Sequence, residues 1–195
     1  MANKIKYGLK NVYYAVASIN TNGSATYNTP VAMPGAVSLS MEPQGENTPF
    51  YADNIAYWIG ASNTGYEGDL ELARIPDSFK KDVLGMVNDA KDVLVEDANA
   101  GAVHFALLFQ FEGDEKATKH IMYNCTATRA ADSGQTKGET IEPQTQTLNL
   151  RATSIYNASL DTDIVKAEAN ADTDSTTYSG WFSAVYSPTA ASTTT

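Results

Sequence analysis

Scarcity defines this chain of 195 residues: one cysteine, two histidines, two tryptophans and a charged fraction of only 18%. Cys125 has no second cysteine to pair with, so an internal disulfide is excluded, and so is a multi-cysteine zinc site. Imidazole is confined to His104 and His120, and no motif sets a nucleophile, base and orienting group around either. Both lie in strand-like runs and read as ordinary strand residues. Cys125, inside the alternating run Ile121–Ala127, reads as a small buried hydrophobe. The glycines are scattered turn residues, and no phosphate-cradling loop is among them. The expectation is therefore no enzyme activity, no metal and no cofactor.

Long apolar runs are also missing. No segment reaches the length that crosses a bilayer, so no membrane association is expected. The start of the chain, with Lys4, Lys6 and Lys10 before VYYAVA, imitates a signal peptide, but its apolar run is short and holds two tyrosines. The sequons at Asn22, Asn124 and Asn157 are accordingly expected to stay unmodified. Positive charge is scarce too: 13 Lys and Arg against 23 Asp and Glu give a net charge of −10. A protein that grips DNA neutralises phosphates with a basic cluster, and none exists here.

What is present suits sheets. Hydrophobic residues make up 43% and aromatics 10%, with many threonines, tyrosines and valines. Residues 11–19 alternate as Val12, Tyr14, Val16 against Tyr13, Ala15, Ala17, a first strand. Gly35 opens a second, with Val37, Leu39 and Met41 facing in, Ser38 and Ser40 facing out, and Pro43 as its stop. Val93 and Val95 mark a short strand. His104–Phe111 (HFALLFQF) is nearly all apolar and predicts a central strand covered on both faces, with residues 117–129 as its hairpin partner. Leu148, Leu150 and Ala152 alternate in a further strand, and residues 181–186 (WFSAVY) predict a closing one. Residues 130–140 and 157–179 read as irregular.

The stretch from Tyr66 to Gly85 organises the rest. Leu70 and Leu72 alternate with Asp69 and Glu71, so Glu67, Asp69 and Glu71 share the opposite, outward face. Three carboxylates in line along a strand make an acidic face; they do not converge as cation ligands must. Ile75 before Pro76 ends the strand, and Pro76 and Asp77 start a short helix. Phe79, Val83 and Leu84 form its apolar stripe, which must dock on a sheet because so short a helix is marginal alone. Gly85 occupies the place of a left-handed cap.

Residues 42–65 behave differently. Turn residues punctuate them as a long loop or extended hairpin, yet Phe50, Tyr51, Ile55, Tyr57, Trp58 and Ile59 lie inside. Long loops rich in aromatics are contact surfaces. Phe50, Tyr51, Tyr57 and Trp58 are the candidate contact residues, Trp58 foremost. The plainer alternative folds these rings back onto the core.

Five segments taken in order, Tyr51–Asn54 (YADN), Gly65–Leu72 (GYEGDLEL), Ile75–Gly85 (IPDSFKKDVLG), His104–Phe111 and Trp181–Val185 (WFSAV), resemble the phage major tail proteins of the phi13 type. The resemblance implies a tail-tube fold, virion location in long non-contractile tails after assembly in the host cytoplasm, and stacked hexameric rings through which DNA is delivered. It also implies partners: further copies of the chain, then tape measure, tail terminator and baseplate or distal tail proteins. DNA would pass without specific binding, along a lumen for which Glu67, Asp69 and Glu71 are the candidate acidic residues. With the pattern reading, the expected fold is mainly β. It is a β-sandwich or flattened barrel of seven to nine strands, with one short helix on its side and a long extended loop. Residues 1–186 form one domain and 187–195 a disordered tail. A different class remains open: a monomeric β-sandwich that binds carbohydrate or protein through the aromatic loop.

Overall fold

The computed structural model describes residue 5 and residues 7–136 and 143–190, with the backbone alone at 47, 48, 56, 59 and 61. Lys4 and Lys6, the end of the expected 130–140 loop and residues 191–195 of the expected tail lie outside the described residues.

The fold is mainly β, 48% strand and 7% helix. In chain order the first elements are β1 (Tyr7–Ile19), β2 (Ala25–Tyr27), β3 (Val31–Ala32) and β4 (Ala36–Gln44). There follow β5 (Asn47–Ala52), β6 (Ile55–Ala61), β7 (Gly65–Leu72), α1 (Asp77–Asp82), β8 (Met86–Asn88) and β9 (Leu94–Glu96). The remainder holds β10 (Phe105–Glu112), β11 (Lys119–Ala127), β12 (Gln146–Thr153), β13 (Ile155–Asn157), β14 (Thr162–Ile164), β15 (Lys166–Ala169) and α2 (Ser175–Gly180). A nine-stranded sheet runs β2-β1-β10-β11-β12-β7-β4, with β3 added on β1 and β15 on β11. It curls until β4 comes back toward β1, so one sheet, not two, encloses the main core.

The nearly continuous apolar run of β10 explains its place at the centre. Phe105, Leu107 and Phe109 face inward with Val12, Tyr14, Leu70, Leu72, Leu148 and Leu150. Ala106 and Leu108 face the other way, into a second cluster with Ile121, Tyr123, Ile155 and Trp181. Helix α1 plugs the inner cluster. Phe79 is fully buried, edge-on to Tyr14 at 5.0 Å and to Phe105 at 5.4 Å, Val83 is buried beside it, and Leu84 packs at the margin. Pro76 stands just before the first helical residue, in extended conformation, and Gly85 ends the turn at φ +71°.

Several expectations are corrected. Val37 is 51% exposed, because the register slips between Ala36 and Ser38 and the bulge turns it outward. Pro43 does not stop β4, which runs on to Gln44; an edge strand tolerates the missing N–H. Residues 181–186 form no strand. Asp174 accepts from the Thr177 backbone N–H at 2.9 Å and caps a second helix, α2, after which Trp181 turns into the second cluster and stacks on Tyr186. The segment 157–179 is not irregular throughout, since β14, β15 and α2 fall within it. Of the expected tail, Pro188 accepts a hydrogen bond from the Asn157 amide at 3.2 Å.

Candidate functional site: the arm and the acidic face of β7

Strands β4 and β7 pair side by side, and β5 and β6 pair in turn beyond them, so residues 36–72 form one long hairpin. Ser62 N–H donates to the Glu46 carbonyl at 3.0 Å and Thr64 N–H to the Gln44 carbonyl at 2.9 Å, which carries the ladder across the junction. At the tip, Asp53 and Asn54 sit at φ 52° and 63°. Two successive left-handed residues make the turn whose twist matches that of paired strands, and Asp and Asn tolerate that conformation best after glycine. The outcome is an arm six residues long on one side, roughly 20 Å of strand, paired with itself and joined by no third strand among the described residues.

Its rings are not folded onto the core. Phe50, Tyr51, Tyr57 and Trp58 are each 60–71% exposed. Phe50 and Trp58 are cross-strand partners and therefore share a face. The Trp58 ring lies over the bare α-carbon of Gly60, where a side chain would collide with it. From residue 36 to residue 65 the chain carries Glu42, Glu46 and Asp53 and neither lysine nor arginine.

Glu67, Asp69 and Glu71 line the outer face of β7, opposite buried Leu70 and Leu72. The flanking strands answer them with neutral or mixed partners. Glu71 pairs with Ser38 and Thr147, Asp69 with Ser40 and Asn149, Glu67 with Glu42 and Arg151. Asn149 donates to Asp69 at 3.2 Å. Thr145 and Ser38 hydroxyls donate to the two Glu71 oxygens at 2.6 and 2.8 Å, and those hydrogen bonds hold its carboxyl below the usual range. Glu71 therefore stays ionised more readily than an ordinary glutamate.

Cysteine and both histidines sit in or beside the sheet. Cys125 is fully buried, and burial pushes its thiol up to about 12. His104 Nδ1 meets the Asn124 side-chain oxygen at 2.7 Å, and His120 stacks on Phe109 at 5.0 Å with Glu168 at 3.4 Å. Among the described residues no helix is long and apolar enough to cross a membrane.

Sequence reasoning missed one surface. Strands β8 and β9 form a small hairpin on which Val87 and Val95 are direct partners, and Val87, Val93 and Val95 are 44–55% exposed. Val95 was legible as part of a strand, although β9 begins at Leu94 and leaves Val93 before it; the exposure of both was not legible, because alternation cannot say whether another layer covers a strand.

Comparison with curated proteins gives no match. Among solved structures, one chain of the cryo-EM structure of the anti-feeding prophage (AFP) baseplate, 6-fold symmetrised, is similar at 10% identity and a TM-score of 0.47. The match covers 88% of this chain and 99% of that one. A family model described as phage tail tube protein matches residues 2–179, a span that takes in the curled sheet, the arm and α1. By that match the chain belongs to the phage tail tube protein family.

Proposed function

We propose that this structural protein of the phage tail assembles into closed rings that stack head to tail as the tail tube, through which DNA reaches the host. The observation that carries the reading is the arm: four aromatic residues held out on paired strands and left exposed by the described residues. Exposed apolar surface of this kind marks a contact. The family match supports a tail protein, and the five segments quoted above support the phi13 type and six subunits per ring. Partners are further copies of the chain and the tape measure, terminator and baseplate or distal tail proteins, met in the host cytoplasm and retained in the virion.

Phe50, Tyr51, Tyr57 and Trp58 make the contact between rings. Phe79, Val83 and Leu84 hold α1 against the sheet from which the arm projects. Glu67, Asp69 and Glu71 face the lumen, where a fixed anionic surface and a net charge of −10 let a polyanion slide without being held. Electron microscopy and light scattering of concentrated protein test the reading. Rings or tubes are expected in place of a 20.9 kDa particle. A strict monomer, even with its tail partners present, overturns it. DNA binding at physiological salt with a steep salt dependence overturns the lumenal assignment.

A further inference from the structure

The arm does not simply continue the sheet; the pairing changes count where it begins. The last pair of β4 with β7 is Gln44 with Gly65, and the first pair of β5 with β6 is Asn47 with Ala61. Between them Gly45 and Glu46 face Ser62, Asn63 and Thr64, two residues against three. One extra residue on one strand bends a ladder and adds to its twist. Side chains hold the groups that the mismatch takes out of the regular ladder. Ser62 Oγ accepts from the Glu46 N–H and donates to the Glu46 carbonyl, both at 3.1 Å. Asn63 Oδ1 accepts from the Gly65 N–H at 3.0 Å. A bend bonded in this way is a fixed corner, not a slack tether.

Two glycines stand at this corner, each with a backbone pressed against it. A Cβ at Gly45 would collide with the Ser62 carbonyl across the hairpin. A Cβ at Gly65, where φ is +110°, would collide with the Ala152 carbonyl near the end of β12. In both cases the obstacle is main chain, which cannot rotate away as a side chain does, so the strands themselves must part. Gly60, within the arm, is a different case, since the Trp58 ring opposes it. Parting at the corner swings the arm, and roughly 20 Å of strand carries the swing to Asp53 at its tip. Neither Gly45 nor Gly65 belongs to either core cluster.

We infer that Gly45 and Gly65 are positioning residues that aim the arm: their missing side chains fix the angle at which Phe50, Tyr51, Tyr57 and Trp58 leave the sheet. The inference rests on the reading of the arm as the contact between rings and says what sets its direction. A contact repeated at one angle in every copy needs that angle held by the fold before the partner arrives.

Gly45→Ala is the main test, because Gly45 is exposed and its substitution touches the corner alone. Spin labels on Asp53→Cys and Lys91→Cys, both exposed, read the arm's direction within one molecule when labelled protein is diluted with unlabelled chain. Cys125 is fully buried and stays unlabelled. Gly45→Ala is expected to shift the label distance away from the wild-type value and to leave the subunit's melting point nearly unchanged. It is also expected to raise the concentration needed for stacking by about tenfold or more. An unchanged distance, or stacking at the wild-type concentration by a variant whose arm has moved, overturns the inference and leaves the ring reading standing. A fall in melting point as large as that of a core variant makes the glycine structural and overturns it too. Wild-type protein that forms neither rings nor tubes overturns the ring reading, while the label distance still decides whether the glycines aim the arm. Gly65→Ala is expected to act in the same direction; should it fail to fold, Gly45→Ala decides alone.

Discussion

The two tryptophans met opposite fates. Trp181 is 2% exposed, stacked on Tyr186 at 5.5 Å, its indole N–H directed at the His120 carbonyl. Trp58 is 61% exposed, with its ring over Gly60. Nothing in residue type separates them; the number of layers does. Trp181 follows α2 and closes the second face of a sheet whose first face is already covered by a core. Trp58 stands on a two-stranded sheet that no other described strand joins. An aromatic residue in a sequence records an affinity for burial, and the fold decides whether the burying partner is the same molecule.

That contrast can be broken from either side. The largest effect is expected from Trp181→Ala, which should lower the stability of the isolated subunit by about 3–5 kcal/mol in thermal or denaturant unfolding. Trp58→Ala should leave the monomer melting point nearly unchanged while removing roughly 2–4 kcal/mol per contact between rings, which repeated around a ring abolishes stacking. A Trp58 variant that melts as early as the Trp181 variant would erase the distinction. Tyr14 sharpens it within the core. Its hydroxyl donates to Asp82 at 2.8 Å, and burial first, then that carboxylate, pushes its pKa up to about 12. The phenol stays protonated in the fold but ionises near pH 10 when unfolded. Its contribution is therefore complete below pH 10 and is lost as pH climbs to about 12, a decline that Tyr14→Phe should flatten in a stability-against-pH series. The smallest effect belongs to Tyr123→Phe. The Tyr123 hydroxyl is buried without a hydrogen-bond partner among the described residues, so its removal should leave stability unchanged or raise it by up to about 1 kcal/mol. A clear loss in denaturant unfolding would mean that the hydroxyl has a partner after all.

Much of this was legible before any coordinates. The apolar run at 104–111 announced a strand covered on both faces, because only such a strand can forgo alternation. The Pro76-to-Gly85 punctuation and the Phe79–Val83 spacing gave α1 and the face it buries. The arm could be read as an extended hairpin rich in rings, but whether the rings were free depended on a missing third layer, which no local pattern encodes. Val37 misled because a one-residue bulge inverts the face of everything on one side of it. Residues 181–186 misled because an alternating run of six is as compatible with a turn packed by aromatics as with a strand, and the capping Asp174 ahead of it was the signal that mattered. Strands β13, β14 and β15 have three or four residues each, too few for a period to show.

The strand β7 begins in an arm and ends near a hairpin, and the two ends are unlike. In the head-to-tail stacking proposed above, each added copy covers one arm and offers another. Growth leaves the offered ends unchanged at every step, so a column of these chains contains no count of its own members. A defined length is then information held elsewhere, by a molecule that spans the column or one that occupies its last free end.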